Sequence, residues 1–321
     1  MTKRASLIGP PKQVAPAGPH GLLELDRFTE KDLETWNKRS EDLDELHQIL
    51  HFDFARQRLK HRDELMKALQ AKPAGPFEFK RWVRIVTYRY SQAPLSAAGS
   101  LASVGGRFNV GIDVDVENPW PALYLAEDTE TAYREKYQLP QAAHVSGLTL
   151  EELALERATS IATVFLDGRL ERVFNINDPY AVIRLCNVLK RMPLPIAVGP
   201  ILRRLKAPPS VVYNVKKPAE FRHAVLEQNW RVWPVQFGLP SPSQVLGQLL
   251  RDAGFEAVRF PSSKNGKQCL VVYPQNVDDK RSYVLIADPC PDGVAHMRLD
   301  QDSADELCGW DALPPSMRRR P

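Results

Sequence analysis

Cysteine is scarce in this chain. Four are spread over 321 residues, at 186, 269, 290 and 308, and none forms a CxxC pair. That excludes a disulfide framework and the usual zinc spacings. Reduced thiols, as in a cytoplasmic protein, are the expected state. No apolar run reaches about 18 residues, so no transmembrane helix is expected. The opening MTKRASLIGPPKQ has no apolar h-region, and no secretory signal is expected. Neither sign of charge dominates: 43 Lys and Arg against 39 Asp and Glu leave a net charge of +4. So mild an excess suits an anionic ligand but does not argue for nucleic acid. There is no internal repeat, and neither a GxSxG nor a serine with a histidine partner, so no serine nucleophile is expected. His47 and His51 lie one helical turn apart, but no Glu follows the first as in HExxH and no third ligand is near. They read as packed or solvated side chains, and no metal is expected.

What is present is ordinary for a globular protein: 43% hydrophobic and 26% charged residues. The length allows one large domain with extensions, or two small ones. The 27 prolines favour a loop-rich α+β protein over a helical bundle. Residues 1 to about 20 read as an extended or disordered lead. Thr29 to Gln70 turns helical, opened by Thr29 with Asp32 in the manner of a capping box. These helices suit packing on the rest of the chain, a dimer or other protein partner, or a cover over a pocket. The run Arg56, Arg58, Lys60, His61 and Arg62 is interleaved with acids and reads as a solvated face. Pro73 to Pro76 reads as a linker.

Trp82 to Tyr90 alternates as a first strand, with Arg84, Thr87 and Arg89 as candidate ligand contacts. Ser91 to Val104 is a small-residue loop that can serve as a flap. A helix is expected over Thr149–Arg157. Strands Ile161–Leu166 and Arg172–Ile176 are expected around a turn at Asp167-Gly168. The stretch 178–228 reads as a helical insertion: helices over Pro179–Arg191 and Pro218–Gln228 flank a proline-broken middle carrying Arg203, Arg204 and Lys206. Ser241 to Gly254 is a capped helix, with Ser243 or Ser241 as the cap. Strands Ala257–Phe260 and Gln268–Tyr273 close the domain, and Ser282–Ala287 adds one more. The acidic 300–306 and the basic 318–320 are expected to be mobile.

The densest stretch runs from Gly105 to Glu135. Two glycines precede Arg107, where the backbone needs an unusual φ or room for a close approach. Ala122 to Ala126 reads as a buried strand carrying Tyr124. Asp128 is a good N-cap for a helix from Thr129 to Gln138 that presents Glu135. An arginine on a glycine turn, a tyrosine on a strand and a carboxylate on a helix make the mixed polar set of a small-molecule site.

Four ordered motifs resemble the RES-domain family, named for an Arg, a Glu and a Ser: Arg84 in WVRIV, GGRFN at 105–109, Tyr124 followed eleven residues on by Glu135, and Phe260-Pro261-Ser262. The resemblance covers roughly residues 82–276, departing in Phe108 for the more usual Trp, in the middle insertion and in the N-terminal helices. It implies an ADP-ribosyltransferase-like mixed β core with flanking helices over about 80–290; outside the family pattern stand the N-terminal extension over 1–75 (a disordered lead, then helices), the insertion over about 178–228 and a tail over 291–321. It implies an enzyme that consumes NAD by phosphorolysis or hydrolysis of the nicotinamide–ribose bond. Phosphate would be a co-substrate of the phosphorolytic route and water of the hydrolytic one, with no resident cofactor and no metal. Many members are toxins with an antitoxin or immunity partner, and a homo-oligomer is compatible. Glu135 would oppose the positive charge of an oxocarbenium-like transition state. Arg84 and Arg107 would hold the pyrophosphate, with Gly106 and Asn109 in the same turn. Tyr124 would stack on nicotinamide or adenine, and Ser262 would bind the ribose or the amide, with Ser263 its rival by a one-residue slip. Two other readings keep the same pocket: ADP-ribosyl transfer to a macromolecule, and a non-catalytic nucleotide-binding module.

Overall fold

The computed structural model describes residues 29–71, 75–139, 160–212 and 215–309. The N-terminal lead, part of the Pro73–Pro76 linker, the expected helix at Thr149–Arg157 and the basic end at 318–320 lie outside those residues. The chain forms two compact units, Met1–Gln57 with Pro193–Tyr213, and Arg58–Met192 with Asn214–Pro321.

The smaller unit is helical. Helix α1 (Glu30–Lys60) begins at a reciprocal cap. Thr29 Oγ1 accepts from the Asp32 N–H, and Asp32 accepts from the Thr29 N–H and hydroxyl. The shorter Asp thus does the work of the usual Glu or Gln. Along the helix the His47 imidazole meets the Leu43 carbonyl at 2.8 Å, and burial pulls its pKa down. From the 193–213 part, Arg204 bonds both Asp42 and Glu45 at 2.7 Å, so one member of the basic cluster is neutralised within the unit.

In the larger unit α2 (Arg62–Gln70) follows a break at His61. Strands β1 (Phe77–Thr87), β2 (Gly105–Gly106), β3 (Asn109–Val110) and β4 (Leu123–Ala126) lead to α3 (Thr129–Tyr137). Then come β5 (Ile161–Leu170), β6 (Val173–Asn175) and α4 (Pro179–Leu189). Helix α5 (Val198–Leu205) belongs to the smaller unit. Helices α6 (Pro218–Val225), α7 (Val232–Phe237) and α8 (Pro242–Asp252) precede β7 (Ala257–Pro261), β8 (Gln268–Val272), β9 (Tyr283–Ile286) and β10 (Arg298–Leu299). Of the stretch 178–228, α4 and α6 lie in the larger unit, and only 193–213 groups with the N-terminal part.

The fold is α+β. Among the described residues eight strands form one mixed sheet in the order β10-β9-β5-β1-β4-β8-β7-β6. All its pairs are antiparallel except β6 with β7. β2 and β3 make a separate small hairpin. The joint that matters most is β1 with β4, a single pair at Val83 and Ala126. Beyond it β1 runs on to Thr87 against β5, and β4 stays with β8.

Four sequence expectations are corrected. Asp167-Gly168 is no turn, because β5 runs straight through it to Leu170. Gly168 serves the approach of Phe79: a Cβ there would lie 2.3 Å from the Phe79 ring and 2.7 Å from the Tyr283 carbonyl. The 91–104 stretch is not an open flap, since Leu95, Ala97, Ala98 and Leu101 are buried. The acidic 300–306 stretch is docked, with Ala304 and the adjacent Leu307 in the main apolar cluster beside Phe79, Trp82 and Leu166. A fully buried leucine contributes about 1.5–3 kcal/mol, which tethers the segment. The first strand also begins earlier than its sequence pattern, at Phe77, and ends in a 3-10 turn over Tyr88–Tyr90.

Candidate active site

A cleft of about 370 Å³ lies where β1 and β4 diverge. Residues 83–87 of β1 line one side and Ala122, Tyr124, Leu125 and Ala126 the other. Helix α3, packed on both strands, adds Glu135 and Lys136, and the β2–β3 hairpin adds Gly105, Gly106 and Arg107. Trp230, Arg231, Phe260 and Cys269 complete the wall.

Helix α3 starts as its sequence requires. Asp128 accepts from the Thr131 N–H at 2.8 Å, and Gln138 ends the helix in the left-handed region at φ 58°. Glu135, near the C-terminal end, receives the Ser262 hydroxyl on Oε1 at 2.5 Å across 127 residues of sequence. Ser262 is buried, and its oxygen also accepts from the Lys264 N–H at 3.1 Å. The Ser262 hydroxyl is thus committed to Glu135, and Ser262 does not border the cleft. Its rival Ser263 takes a different partner, accepting from Arg107 at 3.1 Å.

Arg84 is the first residue of β1 beyond the pair shared with β4. It donates to the Ser96 carbonyl at 2.8 Å, while its Nε is buried with no partner among the described residues. Burial pulls its pKa down to about 10, which still leaves it charged near neutrality. Thr87 also lines the cleft, and the side chain of Arg89 lies outside what the structure describes.

Arg107 is buried too. It bonds the Glu227 carbonyl at 2.7 Å, and its guanidinium carbon sits 5.8 Å from the Trp230 ring centroid. Arg231 lies 5.0 Å from the same centroid. Burial lowers the Arg107 pKa, and nearby Glu135 partly offsets that. Burial likewise lowers those of Lys136 and Lys264. Four cationic side chains and one carboxylate line the cleft.

The turn glycines have separate reasons. Gly105 sits at φ +83°, where side chains are strained. Gly106 leaves space for Tyr124, whose hydroxyl oxygen would lie 2.3 Å from any Cβ there. That hydroxyl donates to Asn109 Oδ1 at 2.8 Å and accepts from the Phe108 N–H at 3.0 Å. Asn109 Oδ1 also accepts from the Gly106 N–H, and its Nδ2 donates to the Ser100 and Trp120 carbonyls. Asn109 is fully buried, so its amide braces the turn from inside rather than facing the cleft. Tyr124 presents a ring whose hydroxyl is already engaged, and burial raises its pKa.

The expected site residues therefore fall into two groups. Arg84, Gly106, Arg107, Tyr124 and Glu135 line one cleft, while Ser262 and Asn109 stand behind it, each bonded to a residue that does line it. Lys136 and Arg231, which no motif marks, were missed from sequence, and Trp230 stands where the RES-like pattern resumes after the insertion but was not expected in the site. Also missed was Gln244, whose spacing from Ser241 is that of an S-x-x-Q capping box. Among the described residues no group of three or more His, Cys, Asp or Glu is placed to hold a metal. No described helix is long and apolar enough to cross a membrane.

No family model and no curated protein matches the chain. Among solved structures, it is similar to a chain of the M. tuberculosis MbcT–MbcA toxin–antitoxin complex. The identity is 18%, over 78% of this chain and 98% of that one, with a TM-score of 0.39. So loose a likeness assigns nothing, and the function has to be read from the residues of the cleft.

Proposed function

We propose that this cleft binds NAD and cleaves its nicotinamide–ribose bond. The observation that carries the reading is the Ser262–Glu135 hydrogen bond at 2.5 Å. It joins the last of the four RES-like motifs to the third, beside a cleft that the other two also line. The electrostatics agree: four cations against one carboxylate suit a diphosphate ligand. The partnerless Nε of Arg84 is a buried donor that an anionic acceptor would satisfy.

Glu135 supplies the chemistry. As the C1′–N bond breaks, the electron pair leaves with nicotinamide, which departs neutral, and positive charge develops on the ribose. A carboxylate beside that ribose stabilises the charge more than it stabilises the ground state, which is what lowers a barrier. Ser262 donates to one carboxylate oxygen and fixes its direction. Arg84 and Arg107 hold the pyrophosphate, and Tyr124 offers a ring for stacking. Water capture of the ribosyl cation gives ADP-ribose and a proton; phosphate capture gives the 1″-phosphate. The family resemblance further suggests a toxin held in check by an antitoxin protein.

The test is incubation of the purified protein with NAD, with and without phosphate, followed by mass spectrometry. Free nicotinamide with ADP-ribose or its 1″-phosphate is expected. ADP-ribose attached to protein or nucleic acid would indicate a transferase. NAD left intact after prolonged incubation would reject the enzymatic reading.

A further inference from the structure

The β2–β3 hairpin delivers Gly106 and Arg107 to the cleft, yet it has only two residues per strand. So short a ladder does not hold its own shape. Besides the Asn109 amide and the Tyr124 hydroxyl, its support comes from α8. Gln244 is fully buried in the first turn of that helix. Its Oε1 accepts from the Ser241 N–H at 2.9 Å, completing the capping box. That fixes the side chain and aims Nε2 outward. Nε2 then meets three carbonyls of the turn: Val104 at 2.8 Å, Asn109 at 3.0 Å and Gly106 at 3.1 Å. An amide nitrogen has two protons, so the three carbonyls share them. Three residues on, Gly247 lets the hairpin lie against the helix backbone: a Cβ there would stand 2.1 Å from the Phe108 carbonyl oxygen.

We infer that Gln244 is a positioning residue, which sets the place of Gly106 and Arg107 at the cleft by gripping the turn backbone from behind. Its effect on NAD rests on the function proposed above; its grip on the turn does not. The experiment has two arms. In the first, hydrogen exchange is compared between the parent protein and Gln244→Met, which keeps length but has no donor. Amides of 104–110 should exchange about tenfold faster, in line with one or two lost hydrogen bonds, with those of β7 and β8 unchanged. In the second, KM for NAD should rise about tenfold with kcat changed by less than about threefold, because Arg107 shifts and Glu135, on α3, does not. The exposed Gln248→Glu on the same helix should change neither. If Gln244→Met does not fold, Gln244→Asn, which withdraws the amide by one methylene, is measured in the same way. Exchange that is unchanged at 104–110, or raised equally throughout the sheet, would overturn the inference. Parent protein that leaves NAD intact would instead remove the proposed function, and the exchange arm would still decide Gln244.

Discussion

Two glutamates of the larger unit each hold the hydroxyl of a distant serine. Glu256 receives Ser282 at 2.8 and 2.9 Å, and Glu135 receives Ser262 at 2.5 Å. Around these bonds the two sites differ. Glu256 is fully buried, and its Oε2 also accepts from the N–H groups of Glu171 and Arg172 at 2.7 and 3.2 Å. Those donors belong to the turn between β5 and β6, so the carboxylate is closed on all sides and spent on holding that turn. Glu135 is half-buried, lines the cleft, and has one oxygen without a hydrogen bond among the described residues. Near-identical residue pairs are thus left in opposite surroundings, one closed and one open to the cleft. What separates a structural carboxylate from one placed to act on a ligand is the acceptor capacity left unfilled on the side that faces space.

Four substitutions test that contrast. Glu135→Gln should have the largest effect, lowering turnover of NAD by about 10²–10³ with little change in NAD affinity or thermal stability. Steady-state kinetics with calorimetric titration and a melting curve measure all three, and parent-level turnover would mean the residue is structural. Glu256→Gln should do the reverse. Losing charge-assisted bonds to two backbone N–H groups should cost on the order of 1.5–3 kcal/mol of stability, read by urea denaturation, while turnover per folded molecule stays put. Arg107→Ala should weaken NAD binding by a similar 1.5–3 kcal/mol, with the larger part of its effect in KM. Ser262→Ala should be mildest, with one neutral donor lost from the carboxylate. Turnover should fall about five- to tenfold, with KM nearly constant. An effect on stability larger than that on turnover would move Ser262 into the class of Ser282.

The contrast also shows what can be read without coordinates. Glu135 is legible because Asp128 caps its helix and the eleven-residue step from Tyr124 is a local pattern. Glu256 carries no such pattern; its role depends on a turn 85 residues away in sequence. The same holds for Asn109. It lies in a recognisable GGRFN, but whether its amide faces a ligand or the turn depends on Ser100 and Trp120. β5 was misread because a glycine that admits Phe79 looks, in sequence, like a glycine that makes a turn. The α+β class, the capped helix after Pro240 and the β7–β8 strands are legible because caps and period-two runs are local, though the choice of Ser241 over Ser243 as the cap came only with the structure. The short β10 and the docking of Leu307 are not legible, since two residues of strand and one buried leucine leave no periodicity.

The single pair between Val83 and Ala126 has a thermal consequence. Across that joint the two halves of the sheet share almost no backbone ladder, yet Phe79, Trp82 and Leu166 on one side cluster with Leu123, Leu125 and Leu270 on the other. What holds the halves together is therefore burial of apolar surface. Such cohesion weakens on cooling, whereas hydrogen-bonded ladders do not depend on it. Cold, rather than heat, is thus the condition that selectively loosens the seam at the floor of the cleft, while β1–β5 and β7–β8 keep their rungs.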